Sequence, residues 1–157
     1  MSHAAIVELQ PYKIYKYDWV VPDVLNEDIG IQYHSDYVGD IFSSKDRKSF
    51  IKNDLPELLE GIATVDPVRE TITFLSAKEI EDTVKKEIAK AVSFIQQNIA
   101  MGDKTFFNFR YAGRWFRQDY TIIWSELASY TSAQFIEDAK YKEGETMYIG
   151  AIYNYHI

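Results

Sequence analysis

Between Ser76 and Gly102 the apolar residues recur at helical intervals, with Ile80, Val84, Ile88, Ala91, Val92, Ile95 and Ile99 on one stripe and charged residues between them. Ser76 and Glu79 stand at capping-box spacing before the stripe, and Gly102 closes it. This pattern predicts one amphipathic helix of about 25 residues. Glu81 with Lys85, and Asp82 with Lys86, add i,i+4 pairs on its polar face.

Directly afterwards the period changes to two. Phe107, Phe109 and Tyr111 fall on one face of a first strand, and Phe116, Tyr120, Ile122 and Trp124 on one face of a second. Ala112-Gly113 sits between them as the turn, so the block Thr105 to Trp124 reads as a β-hairpin. Thr131-Ser132-Ala133-Gln134 then starts a short helix running to Tyr141, and Glu143-Gly144 turns the chain. The last stretch, Thr146 to Ile157, places Met147, Ile149, Ala151, Tyr153, Tyr155 and Ile157 on one strand face.

In the first half, Tyr12 to Val21 reads as a strand with Tyr15, Tyr17, Trp19 and Val21 on one face, ended by Pro22-Asp23. After Gly30, the alternation Ile31, Tyr33, Ser35, Tyr37 predicts a second strand. Ser43 or Ser44 caps a helix starting near Lys45, which Asn53-Asp54-Leu55-Pro56 interrupts; a second short helix, capped by Asp54, ends before Gly61. Thr71 to Leu75 is a brief strand. No linker, repeat or low-complexity tract divides the chain, so residues 1–157 are expected to form a single α+β domain. Its architecture is an antiparallel β-sheet of about five strands packed against one long amphipathic helix and several short helices.

The order of these elements resembles the PAS and related sensory domains, as do three local stretches. They are Phe42 to Phe50 with its Asp46-Arg47 pair, Phe109 to Phe116 with Arg110, Gly113, Arg114 and Trp115, and the closing stretch from Gly144 through Gly150 to Ile152. The resemblance implies a sheet and helices around a ligand-sized cavity, lined by residues such as Phe107, Phe109, Phe116, Ile122, Ile149 and Ala151. Its occupant would be a small apolar or aromatic ligand. Dense core packing is the competing account of these positions.

Composition narrows the chemistry. Without cysteine the chain of 157 residues has no disulfide, thiolate nucleophile or cysteine-held metal centre. Its 17 basic and 24 acidic residues give a net charge of −7, which argues against nucleic acid as a partner. No apolar run is long enough for a membrane span, and Met1-Ser2-His3-Ala4 lacks signal-peptide character, so a cytoplasmic protein is expected. The 12 Tyr, 9 Phe and 3 Trp supply more aromatic surface than a core needs, which favours a partner-binding protein or a homo-oligomer.

Catalytic and metal signatures are not recognisable. His3, His34 and His156 are scattered, and no nucleophile elbow or phosphate loop is present. Carboxylate pairs such as Asp66 and Glu70 arise by chance in a chain this acidic. No cofactor is implied. Arg110, Arg114 and Arg117, interleaved with Trp115 and neighbouring tyrosines, form a candidate anion- or protein-binding ribbon, with protection of a strand edge as the alternative. The expectation is therefore binding without covalent chemistry, as a small-ligand or partner sensor. A stand-alone protein-binding inhibitor of the immunity or anti-defence type, or a structural subunit of an assembly such as a phage particle, stands as the alternative.

Overall fold

The computed structural model describes residues 4–32, 35–100 and 121–156. The fold is α+β: a seven-stranded mixed sheet with one long helix and several short ones. Its strands are β1 (Ala5–Gln10), β2 (Tyr37–Ile41), β3 (Ala63–Asp66), β4 (Thr71–Phe74), β5 (Ile122–Ser125), β6 (Ala128–Thr131) and β7 (Thr146–His156). The spatial order is β3-β4-β7-β1-β5-β6, and β2 pairs with the far end of β7. All pairs are antiparallel except β1 with β5. Strand number and this parallel pair thus exceed the five antiparallel strands expected.

Two apolar layers flank the sheet. On one face Ala5, Val7, Leu9, Ile72, Phe74 and Ile123 pack against helical residues such as Phe50, Leu55, Leu59, Ile80 and Phe135. On the other, Ile6, Ile122, Trp124, Ala151, Tyr153 and Tyr155 meet Val20, Leu25 and Ile31. Strand β1 is buried along its whole length, Glu8 and Gln10 included, because it lies between β7 and β5 with a layer on each face. A strand in that position reads as an apolar run rather than an alternation, and the alternation at Tyr12–Val21 draws attention away from it.

That second segment is no strand. Residues 16–18 form a 3₁₀ turn, and the chain continues into α1 (Pro22–Glu27) and α2 (Ile29–Gln32). Tyr15 and Tyr17 project into solvent, so the alternation marks aromatic surface and not a sheet face. The expected strand from Ile31 to Tyr37 likewise gives way to α2, and pairing begins only at Tyr37; Tyr33 lies outside the described residues. Asp28 holds this cover in place. Its carboxylate accepts from the Ile31 N–H at 3.1 Å, the Trp124 indole at 3.1 Å and the Ser129 hydroxyl at 3.0 Å. A Cβ at Gly30 would overlap Ser129, which shows how closely α2 sits on the β5–β6 hairpin.

Helix α3 (Ser44–Ser49) begins as expected, with the Ser43 hydroxyl accepting from the Asp46 N–H. The break expected at Pro56 does not occur. A π-helical turn over Phe50–Asp54 carries α3 into α4 (Leu55–Leu58), and the Leu55 N–H reaches back to the Phe50 carbonyl. Widening one turn lets the helical path pass a ring that cannot donate. Asp54 accordingly has helical dihedrals and no capping hydrogen bond.

The long helix α5 spans Ala77–Ala100, and the Ser76–Glu79 capping box is formed. Among the described side chains of its apolar stripe, Ile80 is in the core and Val84 packs against it, whereas Ile88 and Val92 are exposed. Helix α6 (Ser132–Asp138) has a complete Thr131–Gln134 capping box and runs into a 3₁₀ turn ending at Lys142, before Gly144 turns the chain at φ +72°.

Candidate functional site

Strand β7 organises the site. Leu9 pairs with Ile149 and Val7 with Ile152, so two residues, Gly150 and Ala151, oppose the single residue Glu8. This β-bulge switches the facing of β7. Met147 and Ile149 face the helical layer, whereas Ala151, Tyr153 and Tyr155 face the other. The single apolar face expected for Thr146–Ile157 is therefore split at Gly150.

A charged side chain serves the bulge from each side. Glu8, only 3% exposed, accepts through Oε2 from the Ala151 N–H at 2.9 Å and the Val20 N–H at 3.0 Å. Gln10 donates to its Oε1 at 3.3 Å. A Cβ on Gly150 would overlap this carboxylate, so the bulge needs glycine there. Along the opposite edge of β7, β4 pairs residues 146–148 and β2 pairs residues 153–156, leaving a gap between them. Arg47 fills it: Nη1 donates to the Gly150 carbonyl, and Nη2 to the Ile149 carbonyl at 3.3 Å. Nη2 also pairs with Glu70 at 2.7 Å, while the Trp19 ring lies 4.3 Å from the guanidinium carbon.

Glu70 closes the β3–β4 turn in the left-handed region, at φ 53°. The Asp66 carboxylate shapes that turn by accepting from the Val68 and Arg69 N–H groups, each at 3.0 Å. The Glu70 carbonyl accepts from the Ile149 N–H at 2.9 Å, so the turn is tied to β7 through main chain and side chain alike.

Beside this clamp the sheet opens into a cleft of about 770 Å³. It lies on the face away from the long helix, at the β3–β4–β7 end, and Lys13, Ile14, Arg69 and Glu70 line it together with the strand residues. The strand registers order its floor. Thr64, Thr73 and Thr146 stand opposite one another in one cross-strand row, and Asp66, Thr71 and Tyr148 in the next. The Thr73 and Thr146 hydroxyls are 3.1 Å apart. Thr71 is 8% exposed, and its hydroxyl makes no hydrogen bond among the described residues.

Three of the expected pocket residues are described. Ile149 belongs to the helical layer and borders the cleft, whereas Ile122 and Ala151 are packed in the opposite layer. Phe107, Phe109, Phe116 and the ribbon Arg110, Arg114, Trp115 and Arg117 lie outside the described residues. No family model, no curated protein and no solved structure matches this chain. Among the described residues no cluster of histidine and carboxylate side chains is placed to hold a metal ion, and no helix is long and apolar enough to cross a membrane.

Asp66 and Glu70, dismissed on sequence as a chance pair, both line the cleft. Glu8 and Thr71 carried no readable signal, since their importance depends on which strands become neighbours. Arg47 stood in the stretch carrying the PAS resemblance, although its observed role is to seal a sheet edge.

Proposed function

We propose that this protein is a non-enzymatic binding module whose ligand occupies the cleft over β3, β4 and β7. The observation that carries the reading is a concave site of ligand size whose lining includes Thr71, a buried residue whose hydroxyl has no partner among the described residues. Arg47 ties two lining residues, Glu70 and Ile149, together, which lowers the ordering cost of binding. Small-ligand sensing of the PAS-like kind fits this reading, in a cytoplasmic protein without cysteine.

Native mass spectrometry of the purified chain tests it. Wild-type protein should carry or take up a ligand, and Thr71→Phe, which removes the hydroxyl and sets a larger side chain in the cleft lining, should lose it while unfolding at a similar temperature. Undiminished binding by that variant overturns the assignment.

A second reading, a protein-binding inhibitor, draws on the exposed tyrosines that follow Ile14 in the chain. Tyr15 and Tyr17 stack at 5.7 Å and are 50% and 83% exposed, with the Lys13 ammonium 5.3 Å from the Tyr15 ring. Exposed tyrosines suit a protein-binding surface. A Tyr15→Ala, Tyr17→Ala variant that loses a captured partner while retaining the cleft ligand would favour it.

A further inference from the structure

We infer that the cleft takes an uncharged, hydroxyl-rich ligand, a short neutral oligosaccharide; this rests on the binding-module reading and names its ligand class. The first argument is the chemistry of the floor. Thr64, Thr71, Thr73, Thr146 and Tyr148 all end in hydroxyls; Thr64 donates to the Thr73 carbonyl at 3.5 Å and the Thr73 and Thr146 hydroxyls share one bond at 3.1 Å, which leaves acceptor lone pairs on all of them and a free proton on one of that pair. Anions want donors and cations want acceptors. A ligand whose own groups play both parts uses both capacities of a field of hydroxyls.

The second argument is charge. The cationic Lys13 and Arg69 are balanced by the acidic Asp66 and Glu70, so the lining offers no net field for a phosphate or a polyanion. The two carboxylates are also committed. Asp66 Oδ1 accepts two backbone N–H groups of its own turn, and Glu70 Oε2 holds Arg47. Neither is arranged as a dedicated cation site.

The third is shape. The hydroxyls form two parallel rows, set by the pairing of β3 with β4 and β4 with β7. Neighbouring strands lie about 4.8 Å apart and alternate residues about 6.8 Å apart, so the array is planar on the scale of a sugar ring. The Tyr148 ring and the Ile14 side chain, both lining the cleft, supply apolar surface for the C–H face of such a ring. Thr71 sits in the row between Asp66 and Tyr148, where one sugar hydroxyl would satisfy it.

The test is an amide NMR titration of the isotopically labelled full chain with a panel of neutral trisaccharides built from glucose, mannose, xylose or N-acetylglucosamine. Inorganic phosphate and an acidic peptide are titrated in parallel. At least one sugar should shift the Thr71, Thr73 and Tyr148 amides saturably. The Thr73→Val, Thr146→Val variant, which keeps the branched shapes of the strand residues, should bind it about tenfold or more weakly. A sugar bound equally well by that variant overturns the inference. If phosphate or peptide moves these amides and no sugar does, the ligand class is wrong while the cleft remains the site. If no probe moves them, both readings fall.

Discussion

The Glu8 carboxylate lies 2.9 Å from the Ala151 backbone nitrogen, although the two residues are 143 positions apart in the chain. The contact exists because β1 and β7 pair with a bulge opposite Glu8, and the acid supplies the acceptor that the interrupted ladder does not. Glu8→Ala would leave the Ala151 and Val20 N–H groups buried without it. Each such loss costs about 1–3 kcal/mol. We expect the urea midpoint to fall steeply in Glu8→Ala, and less in Glu8→Gln, which keeps one acceptor oxygen. An unchanged midpoint in Glu8→Ala would show that the bulge is held by something else.

Arg47 is the counterpart on the other edge, and two effects compete there. Its ion pair with Glu70 contributes little, about 1 kcal/mol at most, because the Glu70 side chain is 38% exposed. Its bonds to the Ile149 and Gly150 carbonyls are buried and weigh more. Arg47→Met should therefore destabilise by about 2–4 kcal/mol, and Glu70→Gln by about 1 or less. Equal losses in the two variants would reverse this ranking of ion pair and carbonyl contacts.

The capped elements were legible because their signals are local. The Ser76–Glu79 box, the Thr131–Gln134 box and the Ser43 cap each depend on residues within one turn, and all are formed. The Thr71 strand and the closing strand were legible for the same reason. Strand β1 was not, because being buried on both faces removes the alternation that marks a strand. The cleft was invisible for a further reason. Its floor joins residues from three strands far apart in sequence, and threonine on a strand is ordinary until register places Thr64, Thr73 and Thr146 side by side.

Glu70 adopts a left-handed backbone that an L side chain enters at a cost of about 1–2 kcal/mol. Glu70→Gly and Glu70→Ala both lose the carboxylate, so comparing them isolates the backbone. The glycine variant should be the more stable by about 1 kcal/mol in denaturant titrations. Equal stability would mean that residue 70 does not hold this conformation in solution.

Asp28 joins the α1–α2 cover to the sheet by bonds to Ile31, Trp124 and Ser129. Asp28→Ala should cost about 2–3 kcal/mol. It should also shift the emission of Trp124, obtained by subtracting a Trp124→Phe spectrum, toward the red as water reaches the indole. Loss of stability without that shift would place the damage away from the hairpin.

Tyr153 gives the fold a pH dependence whose sign follows from its surroundings. Its hydroxyl donates to the Val20 carbonyl at 2.9 Å, and burial, followed by the nearby Glu8 charge, raises its pKa above the ordinary tyrosine value of 10.0. As pH climbs, the unfolded chain gives up this proton first. The associated stability is therefore complete below about pH 10 and is lost as pH rises through the higher folded value. Burial is the larger cause, so Glu8→Gln should leave Tyr153 titrating late, though less so than in the wild type. Tyrosinate absorbance checks this: the wild-type curve minus that of Tyr153→Phe isolates one tyrosine of 12. A difference curve centred on the ordinary value would show that the Tyr153 hydroxyl is exposed to water and that the strap at Val20 is not anchored by it.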